Sequence, residues 1–490
     1  MVDLINSWRS HWLVAFSVRV GSGATFVGIG NLVSTLSLFA VSVAVGRLAG
    51  AANLGRYGLL VALGSFFGGI VDFGADRVLT ERLAQRSPHW IAAWWGVLLV
   101  KGCALGLGLV VGLVALEADH AAFALLIAIQ GAAVTANLTA QAMAAALNRL
   151  PALATVRVVT RLAALAGIGA TVALTADVGS LVTYSIVVVS IADLGGVGLL
   201  GAIVIRPELR NLERVTLSQA GVLGALRTGL PLGVSSLAVW LYLKLDTVIL
   251  AGVTDLSTLG VYTAAVRLAE LLGGIPTALN SVALTALADL WSKNTRRFRL
   301  ARDSILVTTT LGMGLICTVV FILSTPIVDA TYRLPNASLY LGALVWGQVY
   351  AASGVICGVS LQVSKQSPAV AYIAVTVAIL GIPTYIVSIA FLGAFGAAVA
   401  TTALYAAILP IGLLLPASRE TFLPLLASTA VLILCLVTAL AVVKVAQLIG
   451  PIPLLAQVAL ASVAYSAVAA CGLFALSARR VRRERLGGLV

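Results

Sequence analysis

The chain has 490 residues, of which 60% are hydrophobic and only 10% charged, with a formal net charge of +13 and a mean hydropathy of +1.08. A soluble globular domain carries about a quarter charged residues, so this composition excludes a water-soluble fold and makes the bilayer the solvent. Only helices and closed barrels satisfy their backbone polar groups there, and the long apolar runs, free of strand-like alternation, predict helices.

The positive charge lies in short loops between apolar runs, with no basic stripe interleaved with exposed aromatics. No nucleic-acid partner is expected. The five cysteines, Cys103, Cys317, Cys357, Cys435 and Cys471, all fall in apolar stretches without CxxC spacing, and read as small buried hydrophobes. The three histidines, His11, His89 and His120, are far apart in sequence. Neither a metal nor a cofactor is expected. The N-terminus lacks a short apolar region followed by a small-residue cleavage site, so the first apolar segment is expected to be retained.

At roughly 20 apolar residues per span, about fourteen transmembrane helices are expected. In chain order they fall near 24–47, 57–76, 91–116, 121–147, 153–176, 180–205, 229–252, 260–287, 304–328, 338–362, 369–391, 394–416, 422–443 and 453–476. The break at 391–394 is the weakest of the boundaries. Of the 31 Lys and Arg residues, 24 fall on the side that takes both termini and every second loop. Only Arg47, Arg56, Arg333 and Lys444 fall on the other side, and Lys101, Lys244 and Arg267 lie within spans. That asymmetry predicts cytoplasmic termini in a multi-pass protein of the cytoplasmic (inner) cell membrane. The arginine cluster Arg479–Arg485 reads as a topology anchor in contact with anionic headgroups, so membrane lipids are expected partners.

The longest polar stretches, 206–227 and 289–303, are short and basic, and neither could bury a core. There is no phosphate-binding G-x-x-x-x-G-K-[ST] loop. The chain is not expected to be an enzyme. Glycine pairs four residues apart, Gly64/Gly68, Gly102/Gly106, Gly108/Gly112 and Gly354/Gly358, suggest close helix packing.

An internal repeat organises the chain. Leu54-Gly55-Arg56-Tyr57 and Leu259-Gly260-Val261-Tyr262 sit at equivalent turns, and in both copies Gly-Gly-Ile follows the tyrosine with its first glycine 11 residues on, at Gly68 and Gly273. An even number of spans separates the copies, so the halves share an orientation, a known transporter design. The fold expected is an all-α integral membrane protein. It has two six-helix bundles in a parallel pseudo-two-fold repeat, 1–205 and 228–416, a basic cytoplasmic amphipathic linker at 206–227, and helices 13 and 14 with a basic cytoplasmic tail at 417–490. Such bundles enclose a central cavity and expose it to either side in turn.

Ionisable residues inside a membrane are costly and default to functional candidates. Arg267 and Glu270 share a helix face that Gly274, Thr277 and Ser281 continue; Lys244 and Asp246 leave their helix in different directions. Lys101 and Asp193 are further cavity candidates, and candidate partners of each other. Asp72 and Asp76, with Arg77 and Arg82 close enough to neutralise them, are candidates for a cytoplasmic gate or a packing salt bridge. A structural ion pair between helices is the other reading of Arg267 and Glu270.

Several short motifs resemble the polysaccharide-transport branch of the multidrug/oligosaccharidyl-lipid/polysaccharide exporter superfamily. They are Gly46-Arg47-Leu48 leading to Leu54-Gly55-Arg56-Tyr57-Gly58, Asp72-Phe73-Gly74, Asp246-Thr247-Val248-Ile249-Leu250, Leu259–Ala265 and Gly393–Ala398. The resemblance implies a flippase that moves undecaprenyl-pyrophosphate-linked oligosaccharide by alternating access, for cell-surface polysaccharide biosynthesis. Arg267 would then meet pyrophosphate or an anionic sugar with its planar fork, and glycosyltransferases or a polymerase would be functional neighbours. The sibling branch implies the alternative, a multidrug or metabolite exporter coupled to H+ or Na+. A flippase predicts a net cationic cavity; an exporter predicts one dominated by carboxylates. A membrane-embedded glycosyltransferase would need a longer polar loop than any present.

Overall fold

The computed structural model describes residues 22–72, 76, 98, 101–103, 105–106, 110, 118–147, 149–174, 180–205 and 219–487. Among these, the regular structure is helical throughout. The elements are α1 (Ser22–Asp72), α2 (Ala118–Ala146), α3 (Leu150–Leu174), α4 (Leu181–Leu200) with a terminal π-turn, α5 (Gln219–Val253), α6 (Leu256–Lys293), α7 (Thr295–Ile322), α8 (Ser324–Thr331), α9 (Ala337–Val363), α10 (Ser367–Leu414), α11 (Pro416–Ile449) and α12 (Leu454–Gly487).

Ten of the described helical stretches are long and apolar enough to cross a membrane, and two of them are double-length, at 43 and 48 residues. These two are helical hairpins. In α1 the chain leaves helical geometry at Gly50 (φ +83°), and in α10 at Gly393 (φ +58°), a left-handed conformation in which glycine carries no Cβ penalty. The reversal is plain from contacts. Tyr385 Oη lies 3.1 Å from Thr401 Oγ1, although sixteen residues of straight helix would separate them by about 24 Å along the axis. The expected break at 391–394 is therefore a tight turn with no loop. The remaining expected spans correspond to α5 and to the segment around Lys101, whose described residues are all helical.

Two boundaries differ from the sequence reading. The linker expected to end at residue 227 is helical from Gln219 onward and runs into α5 without a break; residues 206–218 lie outside the described set. The polar stretch 289–303 is not a loop either: Asn294 ends α6 and caps α7, its side chain accepting from the Arg297 amide at 2.9 Å. Basic residues favour a loop only when the backbone does not supply a helix start, and here Asn294 supplies one.

The two halves meet mainly where α1 packs against α6 and α5. α9 fills the centre of the second half, between α6, α7 and α10. The last two helices pack on that half through α7. Gly314 lies against Leu432 and Tyr465, the Tyr465 hydroxyl donates to the Leu311 carbonyl at 2.8 Å, and Arg302 donates to Thr421 Oγ1 and the Glu420 carbonyl. Of the glycine pairs, Gly64 and Gly68 lie against Gln130, Gly131 and Val134 of α2 as close packing requires, whereas a Cβ on Gly102 or Gly106 would meet nothing within 4 Å among the described residues. Gly108 and Gly112 lie outside the described residues.

Candidate functional site: a charged cavity between the halves

At one end of the molecule the halves are locked together. Here the repeat motifs touch. A Cβ on Gly55 would overlap the Leu256 carbonyl oxygen and lie 2.9 Å from the Gly260 nitrogen. One on Gly260 would overlap the Ala51 carbonyl oxygen and lie 3.0 Å from the Gly55 nitrogen. The contact is reciprocal, as a two-fold relation demands. Beside it the Ser42 and Tyr332 hydroxyls lie 2.6 Å apart, Phe39 meets the Tyr332 ring edge-on, and Arg47 donates to the Ala330 and Thr331 carbonyls at the C-terminus of α8.

Away from that lock lies a cavity of about 290 Å³. The first half contributes Tyr57 and Ser65 from α1, Gln130, Asn137 and Gln141 from α2, Arg161 from α3 and Asp193 from α4. The second half contributes Trp240 and Lys244 from α5, and Arg267 and Glu270 from α6. Among the described residues, three cations and two carboxylates line it, a formal excess of one positive charge.

The charges are arranged asymmetrically. On the second-half wall, Glu270 bridges two cations, accepting from Lys244 Nζ at 2.8 Å and from Arg267 Nη1 at 2.8 Å. Glu270 is the most open of the three, its side chain 34% exposed. Arg267 also sits over the ring of Tyr57, 5.7 Å from its centroid, so it reaches across the interface. On the first-half wall, Arg161 donates from Nε to Ser34 Oγ at 3.0 Å and from Nη2 to Asp193, whose two oxygens lie at 2.9 and 3.0 Å. Its remaining nitrogen, Nη1, is buried without a hydrogen-bond partner among the described residues. Arg157, one turn earlier, donates to Asn31 and Asn137.

Of the residues expected from sequence, Arg267, Glu270, Lys244 and Asp193 line this cavity. Asp246 does not. It is buried between α5 and α6, accepting from the Tyr262 hydroxyl at 2.6 Å and from the Thr247 amide at 2.7 Å. Lys101 does not line it either, and is not the partner of Asp193: it binds Asp72 at 2.7 Å and Asp76 at 2.8 Å. The reason is geometric, since Asp193 on α4 faces Arg161 on α3. Arg77 and the side chains of Thr277 and Ser281 lie outside the described residues. Sequence reasoning passed over Arg157 and Arg161 as topology signals, although both fall inside the expected fifth span at a spacing that shares a helix face.

Long apolar helices in two halves around a buried, charged cavity define a polytopic α-helical membrane protein. The chain belongs to the polysaccharide biosynthesis protein family, whose profile matches residues 20–291, more than half its length. Its fold is similar to that of the lipid II flippase MurJ in an inward closed conformation, with a TM-score of 0.60 and 15% identity over 92% of this chain and 99% of that one. It is also similar to an inward-facing multidrug resistance MATE family transporter of the MOP superfamily, with a TM-score of 0.57 and 13% identity over 85% and 98% of the two chains. A Vibrio cholerae MATE transporter matches with a TM-score of 0.57 and 14% identity over 84% and 99%. Among curated proteins, none matches the chain in sequence.

Proposed function

We propose that the protein is a flippase that carries a polyprenyl-diphosphate-linked oligosaccharide across the cytoplasmic membrane by alternating access, in cell-surface polysaccharide synthesis. The observation that carries the reading is the cavity's charge. Among the described residues its cations exceed its carboxylates: Arg161 lines the first-half wall with its Nη1 buried and without a hydrogen-bond partner, and on the second-half wall Arg267 and Lys244 share one carboxylate. An arginine N–H left unsatisfied in a buried site is costly unless a ligand supplies the acceptor. A diphosphate offers several acceptor oxygens, and arginine matches them with its planar fork. Glu270 then acts as a resident anion whose hold on Lys244 and Arg267 the substrate displaces.

The family and the similarity to a lipid II flippase support this reading. Under the sequence-derived topology both termini are cytoplasmic, the Gly55–Gly260 lock closes the outer side, and glycosyltransferases and a polymerase supply and consume the substrate. The second reading is a cation-coupled exporter of small molecules, favoured by Asp193 and Glu270 in the cavity and by the similarity to MATE transporters.

The test is transbilayer movement of a fluorescent undecaprenyl-pyrophosphate oligosaccharide in proteoliposomes, comparing the native chain with Arg161→Ala and Arg267→Ala. Protein-dependent movement that drops in both variants is the expected result. Movement unaffected by either would return both arginines to a structural role. No movement across several lipid-linked sugars, with cation-driven efflux of a small solute instead, would establish the exporter.

A further inference from the structure

The wall that α2 gives to the central cavity differs from the others. Five of its residues line the cavity and none is charged: Gln130, Val134, Asn137, Leu138 and Gln141. Asn137 and Gln141 follow Gln130 by seven and eleven residues, which sets the three amides on one face of the helix over about 16 Å of its length. The fold positions each of them. Gln130 is buried, and its stem crosses α1 where Gly64 makes room, since a Cβ on Gly64 would overlap Gln130 Cγ. Gln130 Oε1 accepts from the Ser190 hydroxyl at 2.8 Å. Asn137 Oδ1 accepts from Arg157 Nη2 and from Gln141 Nε2, both at 3.3 Å. Among the described residues, these bonds leave the amide nitrogens of Gln130 and Asn137 without an acceptor and the Gln141 side-chain oxygen without a donor.

Three features define what this wall can bind. First, it offers donors and an acceptor side by side, and a hydroxyl group both donates and accepts. A lipid chain does neither, and an ionised phosphate oxygen only accepts. Second, the cations that line the cavity stand on other helices and are already paired, Arg161 with Asp193, and Lys244 and Arg267 with Glu270. Arg157 donates to Asn137 but does not itself line the cavity. A carboxylate held against the α2 amides would be desolvated without a matching charge, which is costly. Third, Trp240 adds an aromatic surface from the second half, its ring seated on Gly69 of α1. A sugar ring has a face of C–H groups that suits an aromatic ring and a rim of hydroxyls that suits amides.

We propose that Gln130, Asn137 and Gln141, with Trp240, form the subsite for the sugar joined directly to the diphosphate, and that this sugar is uncharged. The inference rests on the flippase reading and gives it a division of labour. The arginines hold the diphosphate, which every lipid-linked cargo shares. The first sugar extends from it along α2, where its hydroxyls exchange hydrogen bonds with the amides and its C–H face lies on Trp240. The α2 wall is thus where one cargo is distinguished from another, because a site built to hydrogen-bond a hydroxyl rejects a ligand that lacks it.

The test is equilibrium binding to the full chain in lipid nanodiscs. The probes are farnesyl diphosphate alone and farnesyl diphosphate carrying one neutral sugar (glucose, galactose or N-acetylglucosamine) or glucuronic acid. The native chain should bind at least one neutral-sugar probe about 10- to 30-fold more tightly than farnesyl diphosphate, the gain expected of two hydrogen bonds. That gain should collapse in Gln130→Met and in Gln141→Met, whose side chains keep the length of glutamine without its amide. Melting temperatures show which variants are folded, and Gln141, only half-buried, carries the test if Gln130→Met does not fold. A gain that persists in Gln141→Met would overturn the subsite. Equal native binding with and without a sugar would also overturn it, while leaving the flippase reading in place. Binding of none of the probes would sink the flippase reading and the subsite with it. Glucuronic acid bound as tightly as the best neutral sugar would overturn the preference for an uncharged ring.

Discussion

Gly55 and Gly260, 205 residues apart in sequence, touch backbone to backbone, and each occupies in its own half the place the other occupies in the second. Neither tolerates a Cβ, because what lies against it is main chain: the Leu256 carbonyl for Gly55 and the Ala51 carbonyl for Gly260. Backbone atoms at a helix start have no alternative rotamer, so a substitution here must push the halves apart. Gly260→Ala is therefore expected to disfavour the locked end by on the order of 1–3 kcal/mol. This corresponds to a roughly 5- to 150-fold shift toward the conformation open at that end. Maleimide labelling at Arg333→Cys should rise accordingly, and unchanged labelling would show that the contact does not move during the cycle.

The side-chain part of the lock predicts a graded series. Tyr332→Phe removes only the hydroxyl contact with Ser42, worth about 1 kcal/mol, and leaves the ring against Phe39 and Gly46. Arg47→Ala removes two charge-assisted bonds to the last carbonyls of α8, where a cation also complements the helix dipole. Arg47 is exposed to solvent, so its expected effect is similar, also about 1 kcal/mol. The double variant should equal the sum if the two contacts act independently, and a larger effect would show that they open as one unit.

How much of this could be read from the sequence depends on the range of the interaction. The spans, the hairpin at 391–394 and the repeat were legible because apolar length and glycine placement are local signals. The Gly55–Gly260 contact was half legible: the motifs announced themselves, but nothing in either motif states that it packs on its own copy. Partner choice was not legible. Lys101 and Asp193 are opposite charges in neighbouring spans, yet helix rotation sends one to Asp72 and Asp76 and the other to Arg161. Arg157 and Arg161 were hidden for a different reason. Near a span end, an arginine that marks topology and one that lines a cavity look alike in sequence.

The Arg161–Asp193 pair is buried on both sides, and removing one partner of such a pair costs more than the pair contributes. Asp193→Asn should destabilise the protein by about 3–5 kcal/mol, because it strands the guanidinium. Substituting both residues together, as Arg161→Gln with Asp193→Asn, should cost considerably less, since no charge is left uncompensated. Thermal denaturation in detergent separates the two outcomes. Equal losses in the single and double variants would mean that packing, not charge, dominates at this site.

At the locked end, Asp255 caps α6. Its side chain accepts from the Thr258 hydroxyl at 2.7 Å and from the Thr258 and Ser257 amides at 3.0 Å. These bonds, the Thr258 hydroxyl first, stabilise the ionised form and hold its carboxyl below the usual carboxylate range. A depressed value in the folded state means that the cap's contribution is fully present above the ordinary aspartate value, near 3.9. It is lost as pH falls through the lower value of the folded protein. Asp255→Asn keeps an acceptor of comparable capping strength but cannot titrate. The native protein and Asp255→Asn should therefore have similar melting temperatures at neutral pH, and the native protein should lose more as the pH drops below about 4. Parallel curves down to the acid limit would show that the cap's hydrogen bonds do not depend on the charge of Asp255.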